Sequence, residues 1–313
     1  MDSIVAESYR SIARGSKSFS LAARLFSRSN RGDVSMLYAW CRHCDDVIDG
    51  QTDGHLDDLQ PNKSLDERLA EIREGTLYAL DGKAETFPYT ALARVAARHD
   101  MTHRYPLDLI EGFAIDARGP DMRSLDDTLR YCYHVAGCVG LMMATVMGVK
   151  DREALDRACD LGIAFQLTNI SRDAMADAAI GRVYLPADWL AEVGVAVHAV
   201  SDRAHRQDIA KVVQRLLAVA DNYYASARCG LYALDIRSAW AVATAMHVYR
   251  AIGVRVLSLG SSAWDSRASS TKLQKSNSVL FGAAEAILTR APSRRAGQSR
   301  DGLWTRDSGQ PSA

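Results

Sequence analysis

Residues 33–50, DVSMLYAWCRHCDDVIDG, carry the marks of one helix with both ends signalled. Asp33 is a favourable N-cap, and Gly50 stands where a left-handed C-terminal residue is wanted. Within this stretch Tyr38, Arg42, Asp45 and Asp49 follow one another at spacings of four, three and four. That spacing places all four on one helical face. Two carboxylates one turn apart repel by roughly 0.2–0.5 kcal/mol on a helix. A divalent cation between them reverses the sign. A second stretch answers the first: in FQLTNISRDAMAD, Gln166, Asn169, Asp173 and Asp177 are spaced three, four and four. Each acid pair has an arginine beside it, Arg42 and Arg172. Mg²⁺ favours one or two carboxylates plus substrate phosphate oxygens over an all-protein cage, so facing pairs imply a metal-bridged diphosphate. Either pair taken alone reads more readily as a solvated helix face, and it is the two matching pairs together that favour the metal site.

Composition narrows the class. At 313 residues, 48% of them apolar, the chain can bury a sizeable core. The 38 basic and 38 acidic residues cancel, which argues against general attraction to nucleic acid or to an acidic membrane surface. Only seven prolines occur, and no strand-type alternation of useful length appears. The N-terminus lacks a basic region followed by an apolar run, and the longest nearly apolar run, 135–149, is too short to span a bilayer. A cytoplasmic location is the expectation. Cys41 and Cys44 form a lone CxxC inside the first helix. The six cysteines read as reduced structural thiols in preference to metal ligands.

In chain order, GSKSFS (residues 15–20) offers hydroxyls and an ammonium suited to phosphate, or a plain helix cap. Residues 51–63 read as a loop. Ser64 with Glu67 opens a helix as a capping box, and Ser124 opens another. Further helices are expected over 88–100, from Pro106 to about Ala117, and over 202–229, 235–259 and 271–290. Ser124 begins the helix containing YCYHVAGCVGLMMATVMG, whose small residues, Val135 among them, either wall a long apolar tunnel or allow close helix packing. Asp151 starts the long second acidic helix, ending near Gly181, and Asp188 caps a short one. His247 reads as a core histidine. The tail, 291–313, is rich in Ser, Gly, Arg and Pro and is expected to be disordered. The expectation is all-α, with one domain over 1–290.

The motifs SKSFS (16–20), YAWCRHCDDVID (38–49), YCYHVAG (131–137), FQLTNISRD (165–173) and GRVYLP (181–186) together resemble the squalene/phytoene synthase family of head-to-head prenyl synthases. The resemblance implies an isoprenoid synthase fold, a single helical bundle around a central apolar cavity. Carried over residue by residue, Asp45, Asp49, Asp173 and Asp177 match the family's metal–diphosphate acids, with Asn169 beside them as a further ligand to two or more Mg²⁺ or Mn²⁺ ions. Arg42, Arg172 and Arg267 match diphosphate-contacting arginines, and Gln166 and Asn169 the polar helix stripe. Ser16, Lys17 and Phe19 match the N-terminal substrate segment. Tyr38, Tyr131 and Tyr249 match tyrosines at the mouth, Tyr38 and Tyr249 with a catalytic part. One departure is Ala176, where the family usually has an acid.

The implied reaction is head-to-head condensation of two geranylgeranyl diphosphates to phytoene, a step of carotenoid biosynthesis. Squalene or dehydrosqualene synthesis from farnesyl diphosphate is the alternative within the fold, and a non-catalytic helical scaffold the alternative outside it. The implied partner is a prenyl diphosphate, not nucleic acid. Peripheral membrane contact is compatible with lipid substrates. Oligomeric state is not legible.

Overall fold

The fold is taken from a computed structural model that describes residues 2–15, 22–49, 63–269, 271–290 and 299–306. Ser16, Lys17 and Phe19, Gly50 and most of the expected 51–63 loop lie outside the described residues. The described part is helical throughout. The helices are α1 (Ser3–Gly15), α2 (Arg28–Asp49), α3 (Leu65–Leu80), α4 (Tyr89–His99), α5 (Arg104–Arg118), α6 (Leu125–Cys132), α7 (Cys138–Val146), α8 (Arg152–Ala179), α9 (Ala187–Glu192), α10 (Arg206–Gly230), α11 (Ile236–Leu259) and α12 (Lys272–Leu288). Among the described residues, no helix is long and apolar enough to cross a membrane.

Helix starts follow the cap chemistry in most places. Ser64 and Glu67 exchange the reciprocal bonds of a capping box at α3, as do Ser124 with Asp127 at α6 and Thr271 with Gln274 at α12. Asp151 accepts from the Ala154 amide at the start of α8. The start of α2 differs from expectation. Ser27, not Asp33, takes the capping role, accepting from the Asn30 amide at 3.2 Å. Asp33 lies inside the helix, 1% exposed, where Arg98 and His99 of α4 hold its carboxylate, His99 Nε2 at 2.8 Å. A cap-type residue can face inward when two partners on a neighbouring helix satisfy its charge. At the other end, Arg68 of α3 donates to the Ile48 carbonyl at 3.2 Å.

The expected single helix after Ser124 is interrupted. Residues Tyr133–Gly137 make one π-helical turn between α6 and α7. Such a turn inserts an extra residue and is common where a helix must re-aim side chains at a functional site. Here it sits directly against α8. A Cβ on Gly162 would come within 2.1 Å of the Ala136 carbonyl oxygen, and one on Gly140 within 2.2 Å of the Ala158 carbonyl oxygen. The small residues thus serve close packing and, on the adjoining face, the cavity wall.

The core fills around α2 and α8. Trp40, Leu37 and Val34 of α2 and Ile163, Ala164 and Leu167 of α8 are fully buried. The six cysteines are free, four of them buried. Residues 299–306 depart from the expected disorder of the tail: Arg300 and Arg306 form ion pairs with Asp160 and Asp156 on α8. Composition cannot register that acids on a distant helix, Asp160 buried and Asp156 half-buried, await these arginines.

Gly162→Ala is expected to destabilise the protein by about 2 kcal/mol or more, because backbone on both sides must move. Thermal unfolding followed by circular dichroism should show a midpoint roughly 5 °C lower or worse. An unchanged midpoint would contradict the close contact of α8 with the π-turn.

Candidate active site

A cavity of about 440 Å³ runs through the bundle. One end is polar: Tyr38 and Arg42 come from α2, Gln166 and Asn169 from α8, and Tyr249 from α11. The rest, Arg157 apart, is hydrocarbon, lined by Val135, Val139, Met143, Leu161 and Phe165 among others. Helical spacing explains the division. On α8 the lining residues Ala154, Ala158, Leu161, Phe165 and Asn169 recur every three or four positions, apolar until the last turn and polar there.

At the polar end α2 presents its acids. Arg42 bridges Asp45 at 2.9 Å and Asp46 at 2.7 Å. Asp45 is pushed up to about 6, by burial foremost, with Asp49, Asp46 and Asp116 adding repulsion that Arg42 only partly offsets. Nearly half of the Asp45 side chain, 45%, still reaches solvent, which moderates that effect without changing its direction. Asp49 accepts from Arg182 at 3.3 Å. Arg182 follows α8, and its positive charge also acts on Asp177 and Asp116. It is the link between the two acid-bearing helices.

The α8 acids Asp173 and Asp177 do not line this cavity but a neighbouring pocket, together with Arg172 and Arg267. Arg172 grips Asp173, and Arg267 adds two bonds to the same carboxylate at 3.1 and 3.0 Å. Burial alone would raise Asp173, but the two guanidiniums outweigh it and hold its carboxyl below the usual range. Asp177, one turn on, is pushed up to about 6 by burial and by Asp173. The segment carrying Arg267 is pinned to α8 by the Trp264 indole, which donates to the Ser171 carbonyl at 3.3 Å.

The tyrosines divide. Tyr38 lines the cavity, and burial pushes its phenol up to about 12. Tyr249 stacks on Phe165 with ring centroids 4.2 Å apart, and burial raises it as well. Both are neutral donors at physiological pH. Tyr131 is not on the cavity wall. It is 4% exposed, stacks on Tyr184, and donates to Asp116 at 3.1 Å. Asp116 also accepts from Tyr184 at 2.8 Å, and burial raises its carboxyl. Sequence reasoning missed Asp116 and gave Arg182 no role. Asp116 falls seven residues after Leu109 and three after Phe113, both buried, so it lies on the inward face of α5. An acid at such a position is the signal that was there to be read. His247 lies outside the cavity, 2.7 Å from Glu285.

The donor set suits a hard divalent cation. It is all oxygen, and two of its carboxylates are raised by burial and by neighbouring carboxylates that the nearby arginines only partly offset. Among the described residues, no three acidic, cysteine or histidine side chains make a closed cage. Paired acids without a cage fit an ion that takes its remaining ligands from a phosphate.

Comparison with known proteins follows the same lines. Residues 12–274 match the family model described as squalene/phytoene synthase. A 15-cis-phytoene synthase of Paracoccus sp. is 49% identical over 307 residues, 98% of this chain and 99% of that protein. A phytoene synthase of Pseudescherichia vulneris is 48% identical over 298 residues, covering 95% and 96%. Among solved structures, a dehydrosqualene synthase in complex with ligand superposes with a TM-score of 0.79 at 25% identity, covering 91% of this chain and 97% of that one. A squalene synthase from Alicyclobacillus acidocaldarius shares the fold at a TM-score of 0.70 and 22% identity, over 82% and 92%. The chain belongs to the squalene/phytoene synthase family, with the isoprenoid synthase fold.

Proposed function

We propose that this protein is a phytoene synthase, a prenyltransferase joining two geranylgeranyl diphosphates head to head with release of diphosphate. The observation that carries the substrate length is the run of the cavity along α8. From Asn169 at the polar end to Ala154 at the far end, α8 covers about 22 Å at roughly 1.5 Å per residue. An extended chain advances about 1.2 Å per bond, so a geranylgeranyl group reaches about 19 Å and a farnesyl group about 14 Å. The longer chain fills the cavity and the shorter leaves its end empty. Relatives near half identity, named as phytoene synthases, support the same choice over squalene or dehydrosqualene synthesis. A scaffold with no chemistry would have no use for raised, paired acids at the lip of an apolar cavity.

The chain's own residues account for the main demands of the reaction. Asp45 and Asp49 on one side, and Asn169, Asp173 and Asp177 on the other, would hold two or more divalent cations such as Mg²⁺. When bound, these supply charge stabilisation to the departing diphosphate. Arg42, Arg172 and Arg267, occupied here with carboxylates, are placed to transfer donors to diphosphate oxygens. Arg182 keeps the two acid groups together. The hydrocarbon wall excludes water, which would quench a carbocation to an alcohol. The stacked Phe165 and Tyr249 offer aromatic faces to that cation. Burial raises the phenols of Tyr38 and Tyr249, which favours released diphosphate over a phenolate as acceptor of the final proton in this reading. Ser16, Lys17 and Phe19 complete the substrate contacts in this reading.

A cytoplasmic enzyme with lipid substrate and product would work beside a membrane. The outward side of α12 supports peripheral contact, since Leu273, Leu280, Phe281 and Ile287 are each more than 60% exposed. Replacing Leu280 and Phe281 by aspartate is expected to abolish co-sedimentation with liposomes while the protein stays folded. Equal sedimentation of variant and parent would remove that reading.

Incubated with Mg²⁺ and geranylgeranyl diphosphate, the protein is expected to form phytoene, and to act at least tenfold less efficiently on farnesyl diphosphate. Asp45→Asn and Asp173→Asn should each lower kcat by about a hundredfold or more, as loss of a charge-stabilising group does. Product only from the farnesyl substrate would reverse the assignment. Absence of diphosphate release from either substrate would leave the scaffold alternative.

The raised acids also give a pH signature. Groups at about 6 are half protonated at pH 6 and ionised at pH 8. Binding of Mg²⁺ with inorganic diphosphate should release protons at pH 6 and release almost none from these acids at pH 8. Calorimetry in buffers of differing ionisation enthalpy, corrected for the protons that diphosphate itself releases on binding Mg²⁺, measures this. Equal release at both pH values would argue against Asp45 and Asp177 as ligands.

A further inference from the structure

We infer that Arg157 is the depth stop of the cavity, and that residues 299–306 hold it in that role from outside the tunnel. The inference rests on the function proposed above and deepens it, because the stop would set which prenyl chain length is accepted.

Along α8 the lining begins at Asn169 by the acids and ends at Arg157 and Ala154. Val149, Leu231 and Leu234 close the same end, each less than a tenth exposed. An arginine in such company, 4% exposed, is costly to bury unless its head is fully engaged. Its stem packs beside Gly230, where a Cβ would approach the Arg157 Cβ to 2.8 Å. The methylenes thus face hydrocarbon while the guanidinium turns away from it. That head donates to Glu153 Oε1 at 3.2 and 2.8 Å, and to the Ser226 carbonyl and hydroxyl oxygens, both at 3.2 Å.

Ser226 connects this anchor to the tail. Its hydroxyl donates to Asp160, a carboxylate with zero exposure. Arg300 closes on Asp160 with two parallel bonds of 2.8 Å. The tail is held by more than that pair. The Trp304 amide donates to the Tyr223 hydroxyl at 2.9 Å, and the Trp304 ring lies 5.1 Å from that of Tyr133 in the π-turn. Arg306 reaches Asp156 and the Tyr105 hydroxyl, both at 2.9 Å.

The charges dictate the consequence. Asp160, wholly buried, must have a cation. With Arg300 on it, Arg157 keeps its bonds to Glu153 and Ser226, and its stem stays across the cavity end. Without Arg300, the guanidinium already sharing Ser226 with Asp160 is that of Arg157, one turn away on the same helix. It would swing to the carboxylate and draw its stem off the end of the cavity, leaving a deeper tunnel. Arg157 is thus a specificity-determining residue and Arg300 a positioning residue that acts through it.

The test compares geranylgeranyl diphosphate with the prenyl diphosphate one isoprene unit longer, using the full chain. The readout is the ratio of their kcat/KM values and, independently of turnover, the ratio of their Kd values from intrinsic tryptophan fluorescence. Arg157→Ala removes the stem that crosses the cavity end, and should shift both ratios about tenfold or more toward the longer chain. Arg300→Gln should shift them in the same direction by less. Arg157→Met, which keeps the stem, should retain the parental ratios. Parental ratios in folded Arg157→Ala, or ratios in Arg157→Met as altered as in Arg157→Ala, overturn the depth stop. A shift in Arg157→Ala with none in Arg300→Gln overturns the part given to the tail. If Arg157→Ala does not fold, Arg300→Gln decides, with parental ratios counting against the proposal. Failure of the parent to turn over geranylgeranyl diphosphate would refute the proposed function alone, since the Kd ratios still report on depth.

Discussion

Carboxylates at the lip of a hydrocarbon cavity can persist only if something compensates their charge. In this protein arginines do so, unevenly. Asp173 is bonded by two guanidiniums and sits below the usual carboxylate range, whereas burial and neighbouring acids raise Asp45 and Asp177 to about 6 despite the arginines near them. That imbalance marks where further positive charge belongs, and it lies at the polar end of the cavity and nowhere along its walls. Arg182, bonded to Asp49 and acting on Asp177, keeps the two acid groups within one electrostatic field.

α8 ties the chemistry to the dimension of the substrate. Its last turns carry the acids, its middle presents Leu161 and Phe165 to the cavity, and its first turns carry Arg157 and the buried Asp160. A helix is a stiff ruler, so the distance from acids to cavity end is fixed once the flanking helices are seated. Gly140 and Gly162 allow that seating, since backbone atoms of α8 and of the π-turn stand where side chains at these two positions would otherwise project. The π-turn, by breaking the α-helical phase at Tyr133–Gly137, turns Val135 and Ala136 toward the cavity.

Periodicity and cap chemistry made most elements readable from sequence, and the i, i+4 acids on α2 and α8 were legible as paired groups. Reading failed where a residue's role depended on a partner far away in the chain. Asp33 looked like a helix cap because aspartates commonly are, but Arg98 and His99 hold its buried carboxylate inside the helix. Tyr131 looked like a mouth residue, but the stacked Tyr184 and the acid Asp116 draw it under the surface. The tail looked featureless by composition, but Arg300 finds an acid 140 positions away.

The sequence by itself determined the helical class, the two acidic faces and the family likeness, because each is written in local spacing and a helix imposes that spacing regardless of what surrounds it. Tertiary structure alone decided which acids are raised, how long the cavity runs, and what stands at its end. Those properties are set by burial and by pairs of groups distant in the chain, and local spacing carries no information about either.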